Sequence, residues 1–230
     1  AAAFCSKGQP AVSFTGGQAG IHTSDIHSKA TILDVDAKRV IKALDEGKIA
    51  IVAGFQGITE EGDITTLGRG GSDTTAVAVA AGIKADFCEI YTDVDGVYTS
   101  DPRIVPNAQK MNEITFAEML ELARLGAGVM QPRAVEYGEH NSVAIHVRST
   151  FKDDLGTIIR EEYTVQEKNF VIRGVAHDTN VAKIAVKGVP DQPGVAYKIF
   201  SALANANVDV DMIIQSVRDI DGSNDILFTV

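Results

Sequence analysis

From Val12 to about residue 100 the chain alternates apolar strand-like runs with helical ones, and that alternation most narrows what it can fold into. AVSFTG is a short apolar run closed by Gly16 and Gly17. AKRVIKALDEG places Val40, Ile41 and Leu44 on one helical face, with Gly47 positioned as a stop. KIAIVAGF is apolar at successive positions, as in a strand covered on both faces. TTAVAVAAGI is small and apolar all round, which suits a helix packed against a sheet, and FCEIYT is a further strand. Strands joined through helices build a parallel sheet, because each crossover returns the chain to the same end. Downstream, Thr115 and Glu118 form a capping box ahead of FAEMLELARLGA, whose Phe116, Met119, Leu120 and Ala123 make an apolar stripe. PRAVEYGEHN is another helical run and leads into the strand AIHVRST. The expected fold class is α/β, a mainly parallel sheet sandwiched by helices.

Around residues 152–170 the texture becomes charge-rich and loses its periodicity, which marks a domain boundary. We place the domains at 1–160 and 161–230. Beyond the boundary come VAKIAVKGV as strand, PDQPG as turn, VAYKIFSALANAN as helix, then VDVDMIIQSV and DILFTV as strands. The order β-α-β-β fits a ferredoxin-like unit lacking its last helix and strand. Both ends read as cut: the sequence opens on Ala1 in the tail of a helix and closes inside an apolar strand.

The formal net charge of −10 over 230 residues argues against nucleic acid, which needs a basic stripe. No apolar run approaches the roughly 20 residues that span a bilayer. Two cysteines, Cys5 and Cys88, form no disulfide framework and no metal-ligand spacing, so a reducing cytoplasm is the expected compartment. The five histidines show no metal spacing, and no P-loop, G-x-G-x-x-G or protein-kinase signature is present.

Two segments carry chemistry. The first is Thr65-Thr66-Leu67-Gly68-Arg69-Gly70-Gly71-Ser72-Asp73, which opens the small-residue helix. Glycines let a ligand approach the backbone N–H groups closely, and the helix start favours an anion. Arg69 offers two parallel hydrogen bonds to a carboxylate. A Gly-Gly-Ser turn alone would do no more than reverse the chain; Arg69 inside it and Asp73 in the first helical turn favour a site for a small anionic substrate beside a phosphate.

The second is Tyr91-Thr92-Asp93-Val94-Asp95-Gly96-Val97-Tyr98-Thr99-Ser100-Asp101-Pro102-Arg103, with Thr92 and Asp93 at the carboxyl end of a strand, where open α/β sheets bind ligands. Its three aspartates offer hard oxygen ligands for Mg²⁺, Tyr98 a ring for a purine, and Arg103 a charge for phosphate. An isolated D-x-D is more often a solvated turn; the strand-end position tips the reading towards function.

GFQGITEEGDITTLGRGGSDTTA together with YTDVDGVYTSDPR resembles the aspartate kinase branch of the amino-acid kinase family, as do SFTGGQAGI and LARLGAGVMQPRAVEYG. GVPDQPGVAYKIFSALANANVDVDMIIQSV resembles an ACT domain, a small module that binds regulatory amino acids. The resemblance covers nearly the whole chain. It implies transfer of the γ-phosphoryl group of ATP, with Mg²⁺, to the side-chain carboxylate of L-aspartate, feedback-regulated by lysine or threonine, at the entry to lysine (through diaminopimelate), threonine and methionine synthesis. Position by position, it assigns Arg69, Gly70, Gly71, Ser72 and Asp73 to the aspartate-binding and catalytic segment. It assigns Thr92, Asp93, Tyr98, Ser100, Asp101, Pro102 and Arg103 to the nucleotide. Gly128 stands where several members carry a nucleotide-contacting Lys, so a contact there would be through backbone. In the ACT portion, Asp191, Pro193, Gly194, Ala196, Asp209, Val210, Asp211 and Gln215 match the effector pocket. ACT units imply a homodimer or hetero-oligomer.

Three family features have no counterpart in the sequence: the Lys-Phe-Gly-Gly-Thr-Ser segment, an upstream Glu and a second ACT unit. The expectation is therefore little activity in this stretch by itself. Two alternatives stand beside aspartate kinase: another amino-acid kinase relative, and a non-catalytic effector-binding chain that assembles with a complete kinase.

Overall fold

Glycine positions set the ends of several elements in the computed structural model, which describes residues 1–162, 172–179, 181–206, 208, 210, 212–216 and 222–230. The chain opens with α1 (Ala2–Ser6), β1 (Ala11–Phe14), β2 (Ile21–Thr23), β3 (Ile32–Val35), α2 (Lys38–Asp45) and β4 (Ile49–Val52). The α2 helix stops where the sequence says it should. Gly47 takes φ +72°, its N–H donates to the Leu44 carbonyl, and the Lys48 N–H donates to that of Ala43, a Schellman closure. The buried face differs from the expected one. Val40 and Ala43 are buried, while Ile41 and Leu44 are 38% and 42% exposed. The face turned inward is the one carrying the small side chains, and small residues admit closer packing than a Leu–Ile stripe.

Next come β5 (Gln56–Ile58), β6 (Ile64–Thr66), α3 (Gly71–Gly82), β7 (Phe87–Thr92), β8 (Glu113–Thr115), α4 (Phe116–Arg124), α5 (Pro132–His140), β9 (Ala144–Ser149) and β10 (Thr157–Arg160). The capping box of α4 forms as read: the Thr115 hydroxyl accepts from the Glu118 N–H, and the Glu118 carboxylate accepts from the Thr115 N–H. Among β1 to β10, four strand pairings are parallel (β1–β4, β2–β5, β7–β9, β8–β10) and three are antiparallel (β2–β3, β5–β6, β9–β10). The β4 strand is half-buried along its length. α3 contributes Val77 and Ala80 to a core with Ile114, Met119, Ile145 and Ile159, and Ala78 to a second core with Phe14, Ile21, Val40 and Leu67.

The compact units divide at His177/Asp178. Residues 172–177 therefore lie with the first unit, where the Val175 N–H donates to the Thr99 carbonyl at 2.8 Å, rather than with the second, where the sequence texture puts them. The second unit runs β11 (Lys183–Pro190), α6 (Val195–Asn205), β12 (Ile213–Gln215) and β13 (Ser223–Thr229), the expected β-α-β-β order. Its antiparallel sheet has the order β11-β13-β12. Phe228 of the sheet meets Phe200 of α6 edge-on at 5.5 Å, beside Val189 and Ile226. Among the described residues no helix is long and apolar enough to cross a membrane.

Candidate active site

The glycine-rich turn is anchored on its strand side. Leu67 is fully buried, and its N–H donates to the Phe55 carbonyl at 3.0 Å. Gly68 and Gly70 then take φ +75° and +69°, a region costly for any side chain. A Cβ on Gly70 would also lie 1.8 Å from Cγ of Gln131, so glycine is required there twice over. The Gly71 N–H donates back to the Gly68 carbonyl, closing the turn, and α3 begins. The Thr74 and Thr75 hydroxyls donate to the Gly70 and Gly71 carbonyls. Helix geometry leaves the Ser72 and Asp73 amides without an intrahelical acceptor, which makes them available to an anion. Arg69 and Ser72 are exposed and Asp73 is half-buried. Burial pushes the Asp73 carboxyl upward, opposed by a hydrogen bond from Ser72. Among the described residues Arg69 has no ion-pair partner.

The polar loop starts at the end of β7 that lies beside the start of α3. A short turn, residues 83–86, carries α3 into β7, and the two pack together, so the strand runs opposite to the helix and Thr92 finishes near the level where α3 begins. Thr92, Asp93, Tyr98, Ser100, Asp101, Pro102, Arg103 and Gly128 all line one cavity of about 490 Å³. Leu122, Val129 and Val175 add an apolar side to it. The size and mixed wall suit a drug- or nucleotide-sized molecule, for which sites run to about 300–1,000 Å³.

Two of this loop's three aspartates are already matched by cations. Asp95 accepts from the Tyr98 hydroxyl at 3.0 Å and from Lys152 Nζ at 2.8 Å; these partners, the lysine first, hold its carboxyl below the usual range. Asp101 takes a forked contact from Arg103, with Nε at 3.0 Å and Nη2 at 2.7 Å, which lowers its pKa to about 2. Arg103 thus points its charge at its own loop. The three aspartates do not gather into a Mg²⁺ site, and no group of three or more metal-binding side chains converges among the described residues. Each of two has been claimed by a different cation. Asp93, which accepts from the Thr92 hydroxyl at 3.1 Å, remains available to a metal arriving with a phosphate ligand. At Gly128 an added Cβ would meet nothing within 4 Å, so a side chain has room there.

Three features of the site escape sequence reading. The loop joining α4 to α5 touches both motifs: Gly126, Ala127 and Val129 join the expected Gly128 in lining the cavity, while Gln131 packs on Gly70. Arg133, two residues further, donates from Nη1 to the Leu67 carbonyl and from Nη2 to that of Ala30, both at 2.8 Å. Val175, Ala176 and His177 also line the cavity, from a segment that reads as linker.

In the second unit, Asp191 follows β11, its N–H donates to the Gly222 carbonyl, and Gly194 at φ +90° caps α6. Asp191, Pro193, Gly194 and Ala196 are exposed around this turn, and Val210 packs against the core. Gln215 is not brought to them. It pairs with Ile226, which faces Val186 on β11, whereas Asp191 lies opposite Gly222. Four residues of offset correspond to about 13 Å along the strands. Asp209 and Asp211 lie outside the described residues.

Residues 1–149 match the model of the amino acid kinase family. The chain belongs to the amino acid kinase family. Residues 184–225 match the ACT domain model. An aspartokinase of Corynebacterium efficiens is 55% identical over 229 residues, 97% of this chain and 54% of that protein. This family member thus spans about half the length of the curated relatives it matches. Among solved structures, E. coli aspartokinase III in complex with aspartate and ADP (R-state) has a TM-score of 0.82 at 29% identity, covering 99% of this chain and 50% of that one. The same enzyme in complex with lysine and aspartate (T-state) has a TM-score of 0.76 at 28% identity, covering 98% and 50%.

Proposed function

We propose that the protein carrying this chain is an aspartate kinase, which moves the γ-phosphoryl group of ATP onto the side-chain carboxylate of L-aspartate to give 4-phospho-L-aspartate. The observation that carries this reading is a pair of unlike sites beside the start of α3, both touched by the loop that joins α4 to α5. One is a glycine-rich turn with an unpaired cation and available amides; the other is a cavity of nucleotide size lined by seven assigned residues of the polar loop together with Gly128. The aspartokinase relatives support the same acceptor.

The chemistry asks for positioning more than for covalent help. Arg69 binds a carboxylate of the acceptor through its fork, and the Ser72 and Asp73 amides hold anionic oxygens at the start of α3. No general base is needed, because the attacking carboxylate is already ionised at neutral pH. Asp73 therefore serves to orient cationic groups. Asp93 would help hold a Mg²⁺ ion arriving with the phosphates, and that ion would supply positive charge to the transferred group. Pro102, Leu122 and Val129 supply apolar surface beside Tyr98 for the base.

The second unit is the regulatory part, binding lysine or threonine at the Asp191 turn. Gln215 then belongs to a pocket shared between two ACT units, in a homodimer or hetero-oligomer. The enzyme works in the cytoplasm, at the head of lysine, threonine and methionine synthesis.

Phosphoryl transfer by the full-length protein, measured with L-aspartate, L-glutamate, N-acetylglutamate, carbamate and UMP as acceptors, tests the reading. Turnover with aspartate alone is expected, slowed by added lysine or threonine. Preference for another acceptor overturns the substrate, and no transfer to any acceptor leaves a regulatory chain. Indifference to both amino acids removes the feedback assignment.

A further inference from the structure

We propose that Arg133 is the positioning residue of the glycine-rich turn, tying its two backbone supports together and holding the turn in its acceptor-binding shape. Arg133 occupies the second position of α5, where the helix dipole disfavours a cation. Among the described residues no carboxylate pairs with it. What compensates the charge is a pair of backbone carbonyls far away in sequence, Leu67 and Ala30, each 2.8 Å from a different guanidinium nitrogen.

Those two carbonyls lie on neighbouring backbones. The Ala30 N–H donates to the Thr66 carbonyl at 3.0 Å, and a Cβ on Gly68 would come within 3.2 Å of the Ser28 carbonyl oxygen. Segments 28–30 and 66–68 therefore run side by side, and the planar fork of Arg133 bridges them. Leu67 is the last residue before two glycines with left-handed torsions, whose backbone has more freedom to lose than any other. Its N–H is held by Phe55 and its carbonyl by Arg133, so the turn leaves a fixed point. On the other side Gln131, from the same loop, fills the space over Gly70. The stretch 126–133 thus lines the nucleotide-sized cavity with one end and braces the anion-binding turn with the other.

The role rests on the acceptor site proposed above, but not on which acceptor binds there. A lysine at 133 keeps the charge and cannot present a planar fork to two separated carbonyls; a methionine loses both.

The full-length protein is compared with Arg133→Lys and Arg133→Met by hydrogen exchange and by steady-state kinetics. Losing a charged hydrogen bond is worth about tenfold. The Leu67 and Gly71 amides are expected to exchange about tenfold faster in both variants, with the middle of α3 unchanged. The KM for the acceptor should rise about tenfold in Arg133→Lys while that for ATP moves less than about twofold. Unchanged exchange at Leu67 and Gly71, or equal rises in both KM values, overturns the proposal. If Arg133→Met does not fold, Arg133→Lys decides alone. If aspartate proves to be the wrong acceptor, the exchange result still stands, and the KM test is read with the true one.

Discussion

Among the described residues, the cations at the glycine-rich turn face no carboxylate, whereas those at the polar loop have each already closed on one. Arg69 is exposed and unpaired, and Arg133 spends its fork on carbonyls. In the polar loop Arg103 grips Asp101, and Lys152 reaches across to Asp95. The first arrangement leaves positive charge for a ligand to neutralise. The second neutralises itself, so its ligand must be recognised by shape, by backbone, or by displacing an existing pair. An anionic amino acid suits the first, and a large planar group with a polyphosphate tail suits the second. Under the proposed function, this contrast in charge is what distinguishes the acceptor turn from the donor cavity.

The sharpest way to break this contrast is to spoil the turn without touching its charges. Gly70→Ala adds a Cβ against Gln131 and sits at φ +69°. Misplacement by about 1 Å costs on the order of a hundredfold in rate, so kcat/KM for the acceptor should fall by about that factor while the cavity still titrates with ATP by calorimetry. Loss of ATP binding as well would mean that the two sites fail as one.

Arg69→Ala tests the unpaired charge. A charged hydrogen-bonded contact is worth about 1.5–3 kcal/mol, roughly tenfold or more in affinity. The acceptor KM should rise accordingly, with the ATP KM little changed. Unaltered acceptor kinetics would leave Arg69 as a solvated surface residue.

The smallest effect is expected at the self-neutralised pair. The folded Asp101 pKa of about 2 lies below the ordinary value of about 3.9. The pair's contribution to stability is therefore complete above the ordinary value and is lost as pH falls towards 2. A carboxyl-carbon titration by NMR should place the Asp101 midpoint near 2 and return it to about 4 in Arg103→Gln. Identical midpoints would show that Arg103 is not the cause. Asp101 is ionised at neutral pH in both proteins, so any change in turnover there reports the lost cation in the cavity and not a change in the protonation of Asp101.

What was legible in the sequence is what is local. The capping box at Thr115 and Glu118, the helix stop at Gly47 and the strand at Phe87–Thr92 each depend on residues within one turn or one period, and each stands where it was read. The polar loop residues were legible as a group, and they do share a cavity with Gly128. Contacts across many residues were not. Nothing near Arg133 announces that it reaches Leu67 and Ala30, and nothing near Asp95 announces Lys152, so a loop of three aspartates read as a metal site. The antiparallel pairs β2–β3 and β5–β6 escaped for a related reason. Their strands are three or four residues long, too short for a period to declare itself. The offset of Gln215 from Asp191 follows from strand register, which side-chain pattern alone does not fix when β12 is exposed along its length.

α3 has a further meaning in mechanical terms. With one side in each of two cores, it has no free flank on which to roll or slide. The amides at its start are a fixed post, and only the glycine torsions ahead of them can bend. Adjustment to a ligand on the fast, nanosecond-to-microsecond scale of loops therefore falls to residues 68–70 and to the 126–131 loop. Moving the post itself would disturb both cores, and core helices belong to the high-stability end of a fold.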